Sequence, residues 1–309
     1  MRVAFLGTPD AAVPSLEALV AAPDVDVVAV ITNPDRARGR SRRLVPPPVK
    51  VTAEAHGLAL WQPERPIEVV EDLAAVAVDA CAVVAYGALL PAPVLAAGGR
   101  GLVNLHLSLL PRWRGAAPVQ HALRAGDQVT GVTTFVLDEG MDTGPIIEQV
   151  EVPIAPEEPA GDLMDRLARI GAPVLVDSVR RLVAGEQPRP QPEEGVTYAP
   201  KVTAEDVGID WRMPARRVAD LARSADPAPG AHTRLRDTRL KVFRAPVRDA
   251  SGTPGTVVAI APEGPVVACG EQAVALAEVQ PAGKRRMAGD AFVRGYRPEV
   301  GEVLGEGPR

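Results

Sequence analysis

Four short apolar runs, at residues 3–6, 27–31, 80–85 and 102–107, recur through the first third of the chain. Between them lie stretches, 11–21, 49–57 and 67–76, whose apolar positions return at helical spacing. Strands alternating with helices predict a mostly parallel sheet covered by helices on both faces. A further strand-like run at 131–137 leads into a Gly-rich turn, and a long helix is predicted over 162–184. The stretch 185–195 then sets Pro188, Pro190 and Pro192 among charged and polar residues, which predicts an extended linker instead of a core element. The chain accordingly divides into a first domain at 1–185, a linker at 186–204 and a second domain at 205–309. In the second domain, 206–224 reads as helical with an interruption at Pro214. Short strands at 240–243, 255–260, 266–269 and 273–279, separated by Gly/Pro turns, predict a small barrel. The fold class is therefore α/β: a Rossmann-like, mostly parallel sheet followed by a small β-barrel. No internal repeat is present.

Composition narrows the functional classes. The chain has 309 residues, 46% hydrophobic and 24% charged, which is ordinary for a globular protein of two domains. The N-terminal apolar run, 3–6, is too brief for a signal peptide or a membrane span, so a cytoplasmic protein with no membrane partner is expected. Cys81 and Cys269 both fall in apolar strand-like runs and read as buried thiols, neither paired nor metal-bound. Aromatic residues make up only 3%, which implies cores of Val, Leu and Ala and argues against an aromatic stacking platform for single-stranded nucleic acid. The net charge of −5 hides a segregation. Residues 1–200 carry 17 Lys/Arg against 25 Asp/Glu, whereas the remainder carries 17 against 14. The densest basic cluster, Arg36, Arg38, Arg40, Arg42 and Arg43, reads as a short loop between a strand and Pro46-Pro47-Pro48. Such a concentration of like charge repels itself, and a phosphate backbone would relieve it; a solvated basic loop is the simpler alternative.

The candidate chemistry centres on Asn104-Leu105-His106, followed by Ser108-Leu109-Leu110-Pro111. Residues at i and i+2 of a strand share a side, so Asn104 and His106 face one pocket. Pro111 ends the strand, which places the pair at the carboxyl edge of the sheet, where ligands bind in open α/β folds. An amide and an imidazole there suit an acyl transfer in which a carbonyl oxygen becomes anionic. Asp142, in the Gly-rich turn Asp138-Glu139-Gly140-Met141-Asp142-Thr143-Gly144-Pro145, supplies a carboxylate to orient the imidazole. Singly, each has a plainer role: His106 as a core histidine, Asn104 as a strand-end cap, Asp142 as a turn former. Gly7-Thr8-Pro9 lacks the spacing of a dinucleotide fingerprint, so NAD binding is rejected.

Asn104, His106 and Asp142, with Ser108–Pro111 and the Trp113-Arg114-Gly115-Ala116-Ala117-Pro118 tail, resemble the folate-dependent formyltransferases. The resemblance extends over nearly the whole chain, through Val3-Ala4-Phe5-Leu6-Gly7-Thr8-Pro9-Asp10, Asn33-Pro34-Asp35-Arg36, Pro48-Val49-Lys50, Val84-Ala85-Tyr86-Gly87 and Gln280-Pro281-Ala282-Gly283-Lys284. Leu107 departs from the small residue or Pro often found there, but as a neighbour of His106 it faces the other way. The resemblance implies the formyltransferase fold with an OB-like second domain, and 10-formyltetrahydrofolate as cosubstrate without a metal. It implies Asn104 and His106 as oxyanion donors, with Asp142 orienting His106 and moving a proton through water. It also implies a folate slot formed by Tyr86, Gly87, Leu89, Ser108, Leu109, Leu110, Pro111, Asp138 and Gly140, with Gly87 and Gly140 admitting the ring close to the backbone.

Within the family the match is nearest to members that formylate methionyl-initiator tRNA for translation initiation. The arginine cluster would then enter the acceptor end, Arg40 aligning with the arginine the family uses there. A formyltransferase for a small amine, such as an amino nucleotide sugar, is the alternative; a catalytically silent RNA-binding protein is a third. The basic cluster and net-basic second domain favour the tRNA reading. No obligatory protein partner is implied, and a monomer is expected. A chain ending near Pro192 is expected to stay folded and to lose mainly tRNA affinity.

Overall fold

In the computed structural model, residues 1–38 and 43–305 are described. Up to residue 199 the elements are β1 (Arg2–Gly7), α1 (Val13–Ala21), β2 (Asp26–Ile31), β3 (Arg36–Arg38), β4 (Arg43–Val45), α2 (Pro48–Ala55), β5 (Leu60–Trp61), α3 (Val70–Val76), β6 (Ala80–Val84), α4 (Ala92–Ala97), β7 (Leu102–His106), α5 (Pro118–Ala125), β8 (Val129–Val136), β9 (Ile146–Pro153) and α6 (Ala160–Val183). Beyond it come α7 (Ala215–Ser224), β10 (Ala231–Leu235), β11 (Thr238–Arg244), β12 (Val247–Arg248), β13 (Val257–Ala261), β14 (Gly264–Ala268), β15 (Ala273–Ala275), β16 (Glu278–Pro281), β17 (Met287–Ala288) and α8 (Gly289–Tyr296).

Two compact units emerge, and neither is continuous in sequence. The first comprises residues 1–118, 129–153 and 164–199; the second comprises 119–128, 154–163 and 200–309. The first holds a seven-stranded sheet in the order β5-β2-β1-β6-β7-β8-β9. Its first five strands are parallel, as the alternating pattern predicts, while β8 pairs antiparallel with both β7 and β9. Uninterrupted burial along β1 after Arg2 and along all of β6 explains why their sequences lack alternation: central parallel strands are covered on both faces. The strand order reverses between β1 and β6, so their carboxyl ends open the crevice at which such sheets bind ligands.

The basic loop expected after β2 is instead a β3–β4 hairpin, with Arg36 paired to Val45 and Arg38 to Arg43. Its base is fastened by Lys50 Nζ, 2.9 Å from Asp35, and by Gln62 Nε2, which donates to Asp35 Oδ1 at 2.9 Å and to the Asn33 carbonyl at 3.0 Å. These bonds, Gln62 first and then Lys50, hold the Asp35 carboxyl below its usual range. They give a structural reason for the Asn33-Pro34-Asp35 and Pro48-Val49-Lys50 motifs. Arg36 is exposed, Arg38 and Arg43 lie on the hairpin strands, and Arg40 and Arg42 lie outside the described residues.

In the second unit two four-stranded antiparallel sheets, β10-β11-β16-β17 and β12-β15-β14-β13, enclose one apolar core with α7 and α8, including Trp211, Val218, Leu240, Val267, Leu276 and Phe292. The interruption expected at Pro214 is observed: a 3-10 turn, Glu205–Val207, is followed by α7, which starts immediately after the proline. Cys81 and Cys269 are free and buried, as expected, and burial raises their thiols to about 12 and about 11. Among the described residues no helix is long and apolar enough to cross a membrane.

These units change the expected behaviour of a shortened chain. Residues 119–128 and 154–163 depend on the second unit: Arg217 Nη1 donates to the carbonyls of Arg124 and Ala125 at 3.0 and 3.1 Å, and Gly161 N donates to that of Asp226 at 3.0 Å. A chain ending near Pro192 loses those partners and also residues 193–199 of the first unit. Its melting temperature, followed by circular dichroism, should fall well below that of the full chain, in contrast to the independent domain that composition suggests. An unchanged melting temperature would show that the interleaved segments contribute nothing.

Candidate active site

Strand β7 pairs with β6 on one side and with β8 on the other, with Asn104 opposite Phe135 and His106 opposite Thr133. Asn104 is half-buried and its amide forms no hydrogen bond to another described residue, whereas His106 is only 6% exposed. His106 Nε2 lies 2.8 Å from the Trp113 carbonyl oxygen. A carbonyl only accepts, so Nε2 carries the hydrogen in this arrangement. His106 Nδ1 lies 3.7 Å from Asp142 Oδ2, within ion-pair reach but beyond a hydrogen bond. Asp142 Oδ2 in turn accepts a 2.7 Å hydrogen bond from the Gly115 N–H. One loop, 111–115, therefore contacts the imidazole through a carbonyl and holds the carboxylate beside it through an amide.

The loop is braced from both sides. Ser108 Oγ donates to the Arg112 carbonyl at 2.6 Å, and Thr133 Oγ1 donates to the Ser108 carbonyl at 2.7 Å while accepting from Leu110 N at 3.1 Å. Gln149 Nε2 donates to the Leu110 carbonyl at 2.8 Å. On the other flank Thr197 Oγ1 accepts from Trp113 N at 2.8 Å. Arg114 and residues 197–199 exchange backbone bonds, Arg114 N to the Thr197 carbonyl at 2.9 Å and Ala199 N to the Arg114 carbonyl at 2.7 Å. Trp113 and Asp142 are held at φ 64° and 53°, a region that non-glycine residues adopt only when their surroundings enforce it.

Gly115 sits at φ 120°, and a Cβ there would meet the Ala199 carbonyl oxygen at 2.8 Å. Gly115→Ala should cost about 1–3 kcal/mol of stability and lower turnover as well, because its N–H positions Asp142. Thermal melting and kcat measured on one preparation check this; wild-type values for both would show that the 197–199 segment does not brace the loop.

The residues expected to line a folate slot fall into distinct environments. Tyr86 is 4% exposed and its ring belongs to the core packed around β1 and β6, so only its carbonyl reaches the turn, accepting from Asn33 Nδ2 at 2.7 Å and Thr8 Oγ1 at 3.1 Å. Ser108 is fully buried, and Leu110 packs with Phe135 and Ile146, so both support the loop from beneath; Leu109 and Pro111 are half-buried. Asp138 builds the turn, accepting from Gly140 N at 3.0 Å and Thr143 Oγ1 at 2.7 Å, which is the turn-forming role that sequence offered for Asp142. Thr143 fills the space beside Gly140, whereas Gly87, at φ 85°, has only Asn33 Nδ2 near a built Cβ, at 3.7 Å. Leu89 is left 77% exposed and Met141 54% exposed. Backbone open beside Gly87 and bare apolar side chains on both loops fit a flat heteroaromatic ring that would cover them. Among the described residues no cluster of three His, Cys, Asp or Glu could hold a metal.

Sequence reasoning missed Thr133, Gln149, Gln191 and Thr197, which touch the site only through the fold. It also left the second unit's charge as a net figure. There, alternation along β10 and β11 turns Ala231, Thr233, Leu235, Leu240 and Val242 inward and His232, Arg234, Arg239 and Lys241 outward, with Arg234 opposite Arg239 and His232 opposite Lys241. Exposed Lys284 and Arg285 follow β16, the next strand of that sheet. Burial, and then Arg239 and Lys241, hold His232 below the usual imidazole range, so arginine and lysine supply the charge of this face. The period-two pattern was readable in the sequence and would have located it.

Comparison with known proteins places these observations. Residues 1–179 match the family model described as formyl transferase, and residues 201–297 match that described as formyl transferase, C-terminal domain. The methionyl-tRNA formyltransferase of Frankia casuarinae is 46% identical over 99% of this chain and 96% of its own length; that of Halorhodospira halophila is 48% identical over 98% and 99%. Among solved structures, HypX from Aquifex aeolicus in complex with tetrahydrofolic acid superposes with a TM-score of 0.66 at 17% identity. That match covers 98% of this chain and 48% of the longer HypX chain, and it shows a shared fold.

Proposed function

The chain belongs to the formyl transferase family through both of its matched stretches, and from that premise we propose that it transfers the formyl group of 10-formyltetrahydrofolate to the α-amino group of methionyl-initiator tRNA. The observation that carries this reading is that its likeness to methionyl-tRNA formyltransferases spans the second unit as well as the first. A small amine would have little use for that unit's basic outer face. When bound, the cosubstrate supplies an electrophilic formyl carbon, and Gly87, Leu89 and the 138–142 turn are the residues that would hold its ring.

Each side chain has a role consistent with its geometry. The Asn104 amide, without a partner among the described residues, is the donor ready for a carbonyl oxygen that gains negative charge. His106 Nε2–H is already bonded to the Trp113 carbonyl, so its donation to such an oxygen requires that carbonyl to give way. His106 Nδ1 faces Asp142 Oδ2, and a proton released by the attacking amine and taken up there is held against the carboxylate until the bond from the formyl carbon to the cosubstrate nitrogen breaks, when a proton passes to that departing nitrogen. Gly115 N–H keeps the carboxylate in place while this occurs.

The β3–β4 hairpin is the tRNA-reading element in this proposal, with Arg40 at the acceptor end and Arg36, Arg38, Arg42 and Arg43 on phosphates, while the face of β10 and β11 holds the RNA backbone. A monomer working in the cytoplasm, where charged tRNA is used, completes the reading. The test supplies 10-formyltetrahydrofolate and compares charged initiator methionyl-tRNA with charged elongator methionyl-tRNA, free methionine and amino sugars. Preference for the initiator tRNA supports the reading, and faster transfer to a free amine overturns it.

A further inference from the structure

Gln191 lies in the Pro-rich stretch whose composition reads as linker, yet its side chain is fully engaged at the active site. Its Nε2 donates to the carbonyl oxygens of Asp142 and Gly144, both at 2.8 Å. Its Oε1 accepts from Arg114 Nε at 3.2 Å and Arg114 Nη2 at 2.7 Å. A single amide therefore ties the turn that carries Asp142 to the residue beside Gly115, whose N–H holds the Asp142 carboxylate. The flanking chain is anchored too. Arg189 and Ile146 exchange backbone bonds of 2.7 and 2.8 Å, and residues 197–199 pair with Arg114.

We propose that Gln191 is a positioning residue for formyl transfer: it sets the backbone of Asp142 so that the carboxylate meets His106 Nδ1 on one side and the Gly115 N–H on the other. The inference rests on the reading of Asn104, His106 and Asp142 as the reacting group. Asp142 is held at φ 53°, which a non-glycine residue does not keep unaided, and both carbonyls that Gln191 pins lie in its turn. The 3.7 Å approach of carboxylate to imidazole leaves little margin: a displacement of about 1 Å would separate them, and misplacement on that scale costs as much as about a hundredfold in rate. The amide is chemically specific here. Two carbonyls need donors and a guanidinium needs an acceptor; a carboxylate in the same place satisfies Arg114 but offers two carbonyl oxygens only another acceptor.

The test compares wild type with Gln191→Glu and Gln191→Ala, each alone and combined with Asp142→Asn. Gln191→Glu, nearly isosteric and still able to accept from Arg114, carries the result if Gln191→Ala fails to fold. The expected outcome is a kcat lower by about 10- to 100-fold, with KM for both substrates within about threefold. In the Asp142→Asn background the same change should cost less than about twofold, because the group through which it acts is already lost. A second readout needs no substrate. Hydrogen exchange at the Gly115 amide should speed up by about tenfold or more in Gln191→Glu, with the amides of β7 and β8 unchanged. Wild-type kcat, a loss that multiplies fully with Asp142→Asn, or unchanged exchange at Gly115 in the folded variant would each overturn the proposal. A wild-type protein that prefers another amine refutes the methionyl-tRNA reading alone; the Gln191 comparison is then decided on that amine and by the Gly115 exchange.

Discussion

His106→Ala lowers kcat by at least about a hundredfold to a thousandfold while the protein stays folded, its melting temperature falling modestly as the Trp113 carbonyl loses its partner. A general acid–base group contributes about 10²–10⁴-fold and one oxyanion donor about 10²–10³-fold. Asn104→Ala, which removes a donor that supports nothing else among the described residues, should fall in the lower part of that range and be the cleanest of the single changes. Asp142→Ala should cost more than the loss of a charge alone, since its carboxylate also receives the Gly115 N–H. If the two side chains act as one unit, the double replacement of His106 and Asp142 should cost far less than the product of the two single losses. Single-turnover rates with saturating cosubstrate, arranged as a double-mutant cycle, give this directly. Full additivity would dissolve the pair, and a wild-type rate in His106→Ala would remove the site.

The second large effect is on tRNA. Replacing Arg239, Lys241, Lys284 and Arg285 with alanine should lower kcat/KM on charged tRNA by about one to two orders of magnitude at moderate salt, equally for initiator and elongator forms. The log–log dependence of kcat/KM on salt should become shallower by about one for each phosphate that is no longer neutralised. The hairpin behaves differently if its role is to read the acceptor end. Arg40→Ala should reduce formylation and narrow the preference for initiator over elongator tRNA with little change in cosubstrate KM, whereas Arg42 and Arg43 replaced together should weaken all tRNAs and flatten the salt dependence. Measuring kcat/KM on both tRNAs at two salt concentrations separates the two surfaces. If neither set of changes alters it, both are solvated basic faces that do not hold the tRNA.

Much of the catalytic half was legible because it is local. Apolar runs separated by helical spacing give parallel strands and their covering helices, and an i, i+2 pair before a proline must share one side of a strand end; both depend on neighbours a few residues apart. The alternation along β10 and β11 belongs to the same class, although only their net charge was read. What depended on the tertiary structure joins residues far apart in sequence. Asp142 is matched to Gly115, Trp113 to Thr197 and Gln191 to Arg114, at separations of 27, 84 and 77 residues, and no periodicity encodes such pairs. The prolines of 188–192 correctly exclude a helix there, since they fix φ and lack an N–H, but they cannot say whether the extended chain hangs free or lies against the active-site loop. Likewise the arginine-rich run could be read as basic but not as a hairpin, whose base is fixed by Lys50 and Gln62 from later elements. Sequence by itself determined most strands and helices of the first sheet and singled out Asn104, His106 and Asp142 as candidates, because these follow from side-chain alternation, helical spacing and residue chemistry. The fold decided which nitrogen of His106 carries the hydrogen, what steadies Asp142 and where one unit ends, because each is set by hydrogen bonds that exist only once distant segments have packed.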